Sequence, residues 1–214
     1  MLKRLIFPLI EGWLRWVGGP VGVRLRRAWY RSRFKSCGER VTIDLGVIIE
    51  GAEYISVGDD VWIDKQVILI AGPNGPTPAN HPANIPHGEI QIGAASHICP
   101  GVIIQGHGGV KIDVHCTIGA GSLMYSQSNS IHDTYQGTVS HDEYVPPKVE
   151  APICLGRNVW CGLGVKILGG SVGDDVFIKP NSVVVRDIPS NVVVESTSSG
   201  SEERRRFSER KPVP

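Results

Sequence analysis

Aliphatic residues recur at every sixth position along most of this chain, and they do so in groups of three. Val57, Ile63 and Leu69 form one group, and Ile92, Ile98 and Ile104 another. Ile112, Ile118 and Met124 follow, then Leu155, Cys161 and Ile167, then Val172, Ile178 and Val184. Ile43, Ile49 and Ile55 read as an opening group. A helix repeats at 3.6 residues and a strand at two, so neither accounts for a period of six. A solenoid does: each unit is one short strand plus a corner, and three units close one triangular turn.

The units share a grammar, as in Val57-Gly58-Asp59-Asp60-Val61, Ile118-Gly119-Ala120-Gly121-Ser122 and Val172-Gly173-Asp174-Asp175-Val176. The first residue and the one four later point inward, with outward residues between them. Gly or Asp beside the inward aliphatic predicts a tight corner there, since these types reach positive φ at low cost.

On these residues the chain resembles the hexapeptide-repeat acyltransferases, from about Ile43 to Pro189. The resemblance is strongest in Leu155-Gly156-Arg157-Asn158-Val159-Trp160-Cys161-Gly162 and in Ser182-Val183-Val184-Val185-Arg186-Asp187-Ile188-Pro189. It is nearest the O-acetyltransferases of surface polysaccharides, with the galactoside and xenobiotic acetyltransferases as relatives. It implies an all-β solenoid whose coil is a left-handed parallel β-helix, a homotrimer with sites between subunits, and acetyl-CoA as co-substrate.

The repeat breaks twice on a large scale. One insertion, about residues 71–89, follows Leu69; the other, about residues 125–152, follows Met124. Each anchor is the third of its group, so both loops leave one edge of the prism, two coils or roughly 10 Å apart. Long irregular loops inside a compact domain are usually functional. The first carries His81 and His87, and the second holds Asn129, His132, Asp133, His141, Asp142, Glu143 and Glu150.

An imidazole in such a loop suits acyl transfer, because it can take a hydroxyl proton as the bond to a thioester carbonyl forms. The resemblance assigns this general base to His132, within Ser128-Asn129-Ser130-Ile131-His132-Asp133, although family members have Asn followed directly by His; His141 is the rival. Glu143, Asp142 and Glu150 are candidates to orient the imidazole, and Asn129 to bind substrate. By position in the family, Trp160 and Gly162 would lie near the pantetheine arm or acceptor. The corner Lys179-Pro180-Asn181 and Arg186 would lie nearer the nucleotide end. Lys-Pro-Asn departs from the small residues usual at that corner. His97 and His115 read as outer-wall residues and His107 as a corner or surface residue. No closely spaced ligand set of the γ-class carbonic anhydrase kind is present, so no metal is expected.

The net charge of +1 hides an asymmetry. Residues 1–40 hold ten basic side chains against Glu11 and Glu39, a balance of +8 that leaves −7 for the remainder. Leu2, Leu5, Ile6, Leu9, Ile10, Trp13, Leu14 and Val17 fall largely at helical spacing, with Pro8 expected to disturb the first turns. After Gly18-Gly19-Pro20, a second basic segment with Trp29, Tyr30 and Phe34 runs from Val21 to Lys35. Trp and Tyr beside Arg and Lys suit a membrane headgroup boundary through residues 1–35; the other reading is a helical cap on the open solenoid end. No nucleic-acid motif accompanies the charge. Five cysteines without paired spacing imply a reducing, cytoplasmic location, peripheral to the inner membrane face if the arm binds lipid. Glu11 and Arg15 interrupt the only apolar stretch, so neither a signal peptide nor a simple spanning helix is expected.

The expected organisation is a basic helical arm over 1–40, a β-helix acyltransferase domain over 41–194 and a flexible tail over 195–214. Glu202 to Arg210 is able to form a short charged helix within that tail. The function expected is transfer of acetyl to a sugar hydroxyl of a surface polysaccharide or lipid-linked glycan. The alternatives are an N-acetyltransferase of a nucleotide-linked amino sugar and a non-catalytic or metal-binding solenoid.

Overall fold

The computed structural model describes residues 2–129, 148–196 and 202–206. The first coil comprises β1 (Ser36–Cys37), β2 (Thr42–Ile43) and β3 (Ile48–Glu50). The second comprises β4 (Ile55–Val57), β5 (Trp62–Ile63) and β6 (Ile68–Ile70). The third has β7 (Ile90–Ile92), β8 (His97–Ile98) and β9 (Ile103–Gln105), and the fourth β10 (Val110–Ile112), β11 (Thr117–Ile118) and β12 (Leu123–Tyr125). After the short strands β13 (Gln127–Asn129) and β14 (Lys148–Glu150), the coils resume. They continue with β15 (Ile153–Leu155), β16 (Trp160–Cys161) and β17 (Lys166–Ile167), then β18 (Gly170–Val172), β19 (Phe177–Ile178) and β20 (Val183–Val184). Each strand pairs in parallel with its counterpart one coil away, giving three sheets: A from β1, B from β2 and C from β3 onward.

The sixfold aliphatics are the core. Ile43, Ile63, Ile98, Ile118, Cys161 and Ile178 stack in register on the inner face of sheet B. Ile49, Leu69, Ile104, Met124, Ile167 and Val184 do so in sheet C. All are buried. The second inward position of the grammar is mostly filled by Val, by Cys at Cys116, or by a serine whose hydroxyl is used: Ser122 Oγ donates to Gly162 O at 3.2 Å and accepts from Val165 N at 3.1 Å.

The opening group differs from its expected membership. Cys37 pairs with Val57, so the first coil reads Cys37, Ile43, Ile49, and Ile55 begins the second coil opposite Ile90. Gly51 in the left-handed region and the one-turn 3-10 segment Ala52–Tyr54 add residues at that corner, shifting the count.

The corners also differ. The left-handed residue is not next to the inward aliphatic but three positions after it, at Asp60, Gly121 and Asp175 in the three quoted units. Gly58 holds its place for closeness: a Cβ there would sit 2.6 Å from Ala94 N on the next coil.

Two helices precede the first coil, α1 (Leu2–Trp16) and α2 (Gly19–Arg31). Pro8 lies inside α1, and with only the first turns before it the helix continues through. Arg26, 1% exposed, fastens the pair to the solenoid. It donates to Ile43 O at 3.0 Å, Leu14 O at 2.9 Å and Val17 O at 2.7 Å. Tyr30, Phe34 and Leu14 are buried beside it. At the other end, β21 (Val192–Ser196) adds to sheet B, and β22 (Glu202–Arg206) pairs antiparallel with it. Residues 202–206 thus form a strand rather than a helix or free tail, which covers a sheet edge that would otherwise expose its ladder.

Candidate active site

The loops leave one edge, as the spacing predicts. Leu69, Ile104 and Met124 are register partners in sheet C, so the loop after β6 and the excursion after β12 depart two coils apart on the same side. Polar side chains then tie them together. Asn74 Nδ2 of the first loop donates to Gln127 Oε1 at 3.2 Å. His87 Nε2 lies 3.0 Å from Glu150 Oε1, which also accepts from Gln127 Nε2 at 3.1 Å. The coil between them joins in: Gln105 Oε1 accepts from Gln127 N at 3.1 Å, and Gln105 Nε2 donates to Gln127 O at 3.2 Å. His107, set among close-packed glycines, lies 2.7 Å through Nδ1 from Gly72 O.

Of the sequence-predicted residues in the second loop, His132, His141, Asp142 and Glu143 lie outside the described residues. Asn129 ends β13, its backbone paired with Lys148. Glu150 sits at the loop base on β14. One of its carboxylate oxygens serves His87 and Gln127, and the other is buried without a partner among the described residues. The His87 side chain is 5% exposed, so it holds the loop base rather than meeting solvent.

A second feature lies on the outer face of sheet B. Trp160, Gly162 and Pro180 line one groove of about 400 Å³ with Cys99, Thr117, Ala120, Leu163 and Phe177. Trp160 points outward, 58% exposed, and meets the Phe177 ring edge-on at 5.6 Å. Gly162 keeps the wall open for a physical reason: a Cβ there would press within 2.6 Å of Pro180 N. Lys179 is outside this lining and pairs with Glu195 at 2.6 Å. Arg186 is exposed beyond β20 and also falls outside the lining. The structure therefore brings together three of the five predicted cofactor-side residues.

One cluster at the rim is absent from the sequence prediction. The His97 ring stacks on Trp62 at 4.4 Å, its Nε2 lies 3.2 Å from Asp64 Oδ2, and its Nδ1 lies 3.7 Å from Cys99 Sγ. Burial pushes the Cys99 thiol up, and the nearby Asp64 carboxylate adds to that. His97 is on the outer wall as expected. Trp62 and Asp64 come from the preceding coil, and the intervening loop of 71–89 hides their proximity in sequence, whereas Cys99 is two residues on in the same coil. Among the described residues, no group of His, Cys, Asp or Glu is arranged to hold a metal ion.

No family model matches the chain. A stretch of 43 residues, 20% of this chain, is 51% identical to a candidate acetyltransferase of Saccharomyces cerevisiae, over 22% of that protein. Over 148 residues the chain is 28% identical to the galactoside O-acetyltransferase of Escherichia coli, covering 65% of this chain and 59% of that one. The matches thus span less than two thirds of either relative. Among solved structures, AntD, an N-acyltransferase from Bacillus cereus solved with dTDP and coenzyme A, superimposes with a TM-score of 0.66. Identity is 18%, over 85% of this chain and 88% of that one. A hexapeptide-repeat acetyltransferase from Vibrio cholerae, solved with acetyl coenzyme A, superimposes with a TM-score of 0.53 at 20% identity, over 86% of this chain and 75% of that one. The fold is that of the hexapeptide-repeat acyltransferases: three sheets of parallel strands and these neighbours fit a left-handed β-helix.

Proposed function

We propose that this protein is an acetyl-CoA-dependent O-acetyltransferase acting on a sugar hydroxyl of a surface polysaccharide or lipid-linked glycan in the cytoplasm. One observation carries the reading: a solenoid of the acyltransferase fold bears both an apolar groove at Trp160, Gly162 and Pro180 and two tethered loops on one edge. The groove suits the apolar stretches of a pantetheine arm; for Lys179 to meet the nucleotide it would have to exchange its pairing with Glu195.

In this reading His132 takes the proton from the acceptor hydroxyl as its oxygen bonds to the thioester carbonyl, and returns a proton to the departing thiolate. Cys116 and Cys161 are poor candidates for a nucleophile: both are buried, and burial raises their thiols, Cys116 to about 11, which disfavours the thiolate. Trimeric assembly is supported by the outer faces. Sheet A presents Ser36, Ser56, Gln91 and Lys111, whereas sheet C presents Ile48, Ile68, Ile103 and Leu123, and sheet B sets Trp62, Trp160 and Phe177 among Thr42, His97 and Thr117. One largely apolar face and one face with exposed indoles, beside a polar third, suit a ring of prisms.

The test is thiol release from acetyl-CoA across sugars and glycolipids, wild type against His132→Ala. A loss of about a hundredfold or more is expected of a general base. Near-wild-type turnover would move the role to His141, and no release with any acceptor would end the enzymatic reading. The resemblance to AntD favours a second reading, transfer to the amine of a nucleotide-linked sugar. Turnover with an amine acceptor and none with hydroxyls would select it.

A further inference from the structure

The helices α1 and α2 have two apolar sides, and the solenoid uses only one. On α2, Gly22, Arg26 and Tyr30, spaced by four, face inward and are buried. On its other side Val21, Leu25 and Ala28, at i, i+4 and i+7, are exposed. On α1, Leu14 is buried, while Leu9, Trp13 and Trp16, again at i, i+4 and i+7, are 73%, 64% and 62% exposed. Capping the first coil therefore does not account for this second stripe. Two indoles and three aliphatic side chains in water on one end of a molecule mark a surface made to be covered.

Charge says by what. Residues 1–40 carry a balance of +8 in a chain of net +1; Arg27 and Arg31 share Glu39, Lys35 pairs with Glu89 and Arg40 with Asp60, and residues 2–31, which form the two helices, still hold seven basic side chains against Glu11. Arg24 lies exposed beside the ridge. Arg33, stacked on Trp29 with its guanidinium carbon 3.3 Å from the ring centroid, is turned inward and pairs with Glu11, so it braces the helices rather than joining the ridge. Exposed indoles and aliphatics with a cation beside them match the boundary between lipid headgroups and acyl chains.

We propose that the α1/α2 cap docks on an anionic lipid bilayer, with Leu9, Trp13, Trp16, Val21 and Leu25 entering the headgroup boundary. The inner side of the same cap is fixed to Ile43 O by Arg26, so the solenoid is held end-on, its first coil nearest the membrane. No described helix is long and apolar enough to cross the bilayer, which fits contact at the surface. The proposal stands apart from the acyltransferase reading and holds whatever the groove binds.

Flotation of the full chain with vesicles tests it, using phosphatidylcholine alone and phosphatidylcholine with phosphatidylglycerol. The wild type is expected to float with the anionic vesicles and to be released by salt. The triple variant Leu9→Ser, Trp13→Ser, Trp16→Ser is expected to lose at least about tenfold in partitioning, because three buried apolar side chains are withdrawn. Its melting temperature should match the wild type, since none of the three side chains is in the core. Arg24→Glu should weaken anionic binding and leave the weak neutral-lipid binding unchanged. Wild-type protein that stays with the soluble fraction, or a triple variant that floats equally well, overturns the proposal. So does concentration-dependent self-association abolished by the triple variant, which would make a second copy the occupant of the ridge.

Discussion

Arg26 joins both helices to the first coil through three carbonyl oxygens, and nothing apolar can replace that pattern. Burial lowers its pKa, and the nearby Asp44 carboxylate works against that shift. Arg26→Ala should destabilise the cap by about 2 kcal/mol or more, seen as loss of helical signal at lower denaturant than the sheet signal. Tyr30 beside it is pushed up to about 12, chiefly by burial. The folded state thus holds its phenol proton more tightly than the unfolded chain, whose tyrosines titrate near 10. Its contribution is complete below pH 10 and lost as pH rises towards about 12, so tryptophan emission from the cap should change over that window. Thiol chemistry reads the core in the same way. Cys116 and Cys161 are buried and should react with a disulfide reagent only after denaturation, whereas Cys37, Cys99 and Cys154 are partly accessible and should react first.

The loops and corners are decided by close approach more than by composition. His87, Gln127 and Glu150 connect the first loop to the base of the second. His87→Ala would leave the Glu150 carboxylate buried with one partner fewer, at a cost of about 1–3 kcal/mol. Hydrogen exchange should rise at residues 71–89 and 148–150 and stay unchanged in sheet B. None of this tethering is written in the loop sequences, which offer several histidines and carboxylates of equal standing. Glu150 was one of three candidate orienting acids, and only its place at the end of β14 gives it to His87 and Gln127. The corners teach the same lesson in reverse: the grammar of Gly and Asp is visible, but which of them takes positive φ depends on where the coil below lies. Asp60 turns the chain, and Gly58 makes room for Ala94.

For the whole molecule, the proposed trimer makes a mass prediction: light scattering should give about three times 23.2 kDa. Leu163 is exposed at the groove, so Leu163→Glu should lower both that mass and coenzyme A binding. A monomer of undiminished affinity would separate the groove from assembly. The sixfold pattern alone determined the solenoid, its core and the departure of both loops from one edge, because inward positions in a stacked coil are set by periodicity and burial. It misjudged the opening coil, where an inserted turn breaks the count. Tertiary structure decided what period cannot encode: that Trp62 and Asp64 meet His97 across coils, and that Glu150 meets His87. It also decided that the helical cap keeps one apolar side for the core and turns the other outward. These depend on contacts between segments separated by inserted loops or by a change of element, where spacing along the chain no longer measures distance in space.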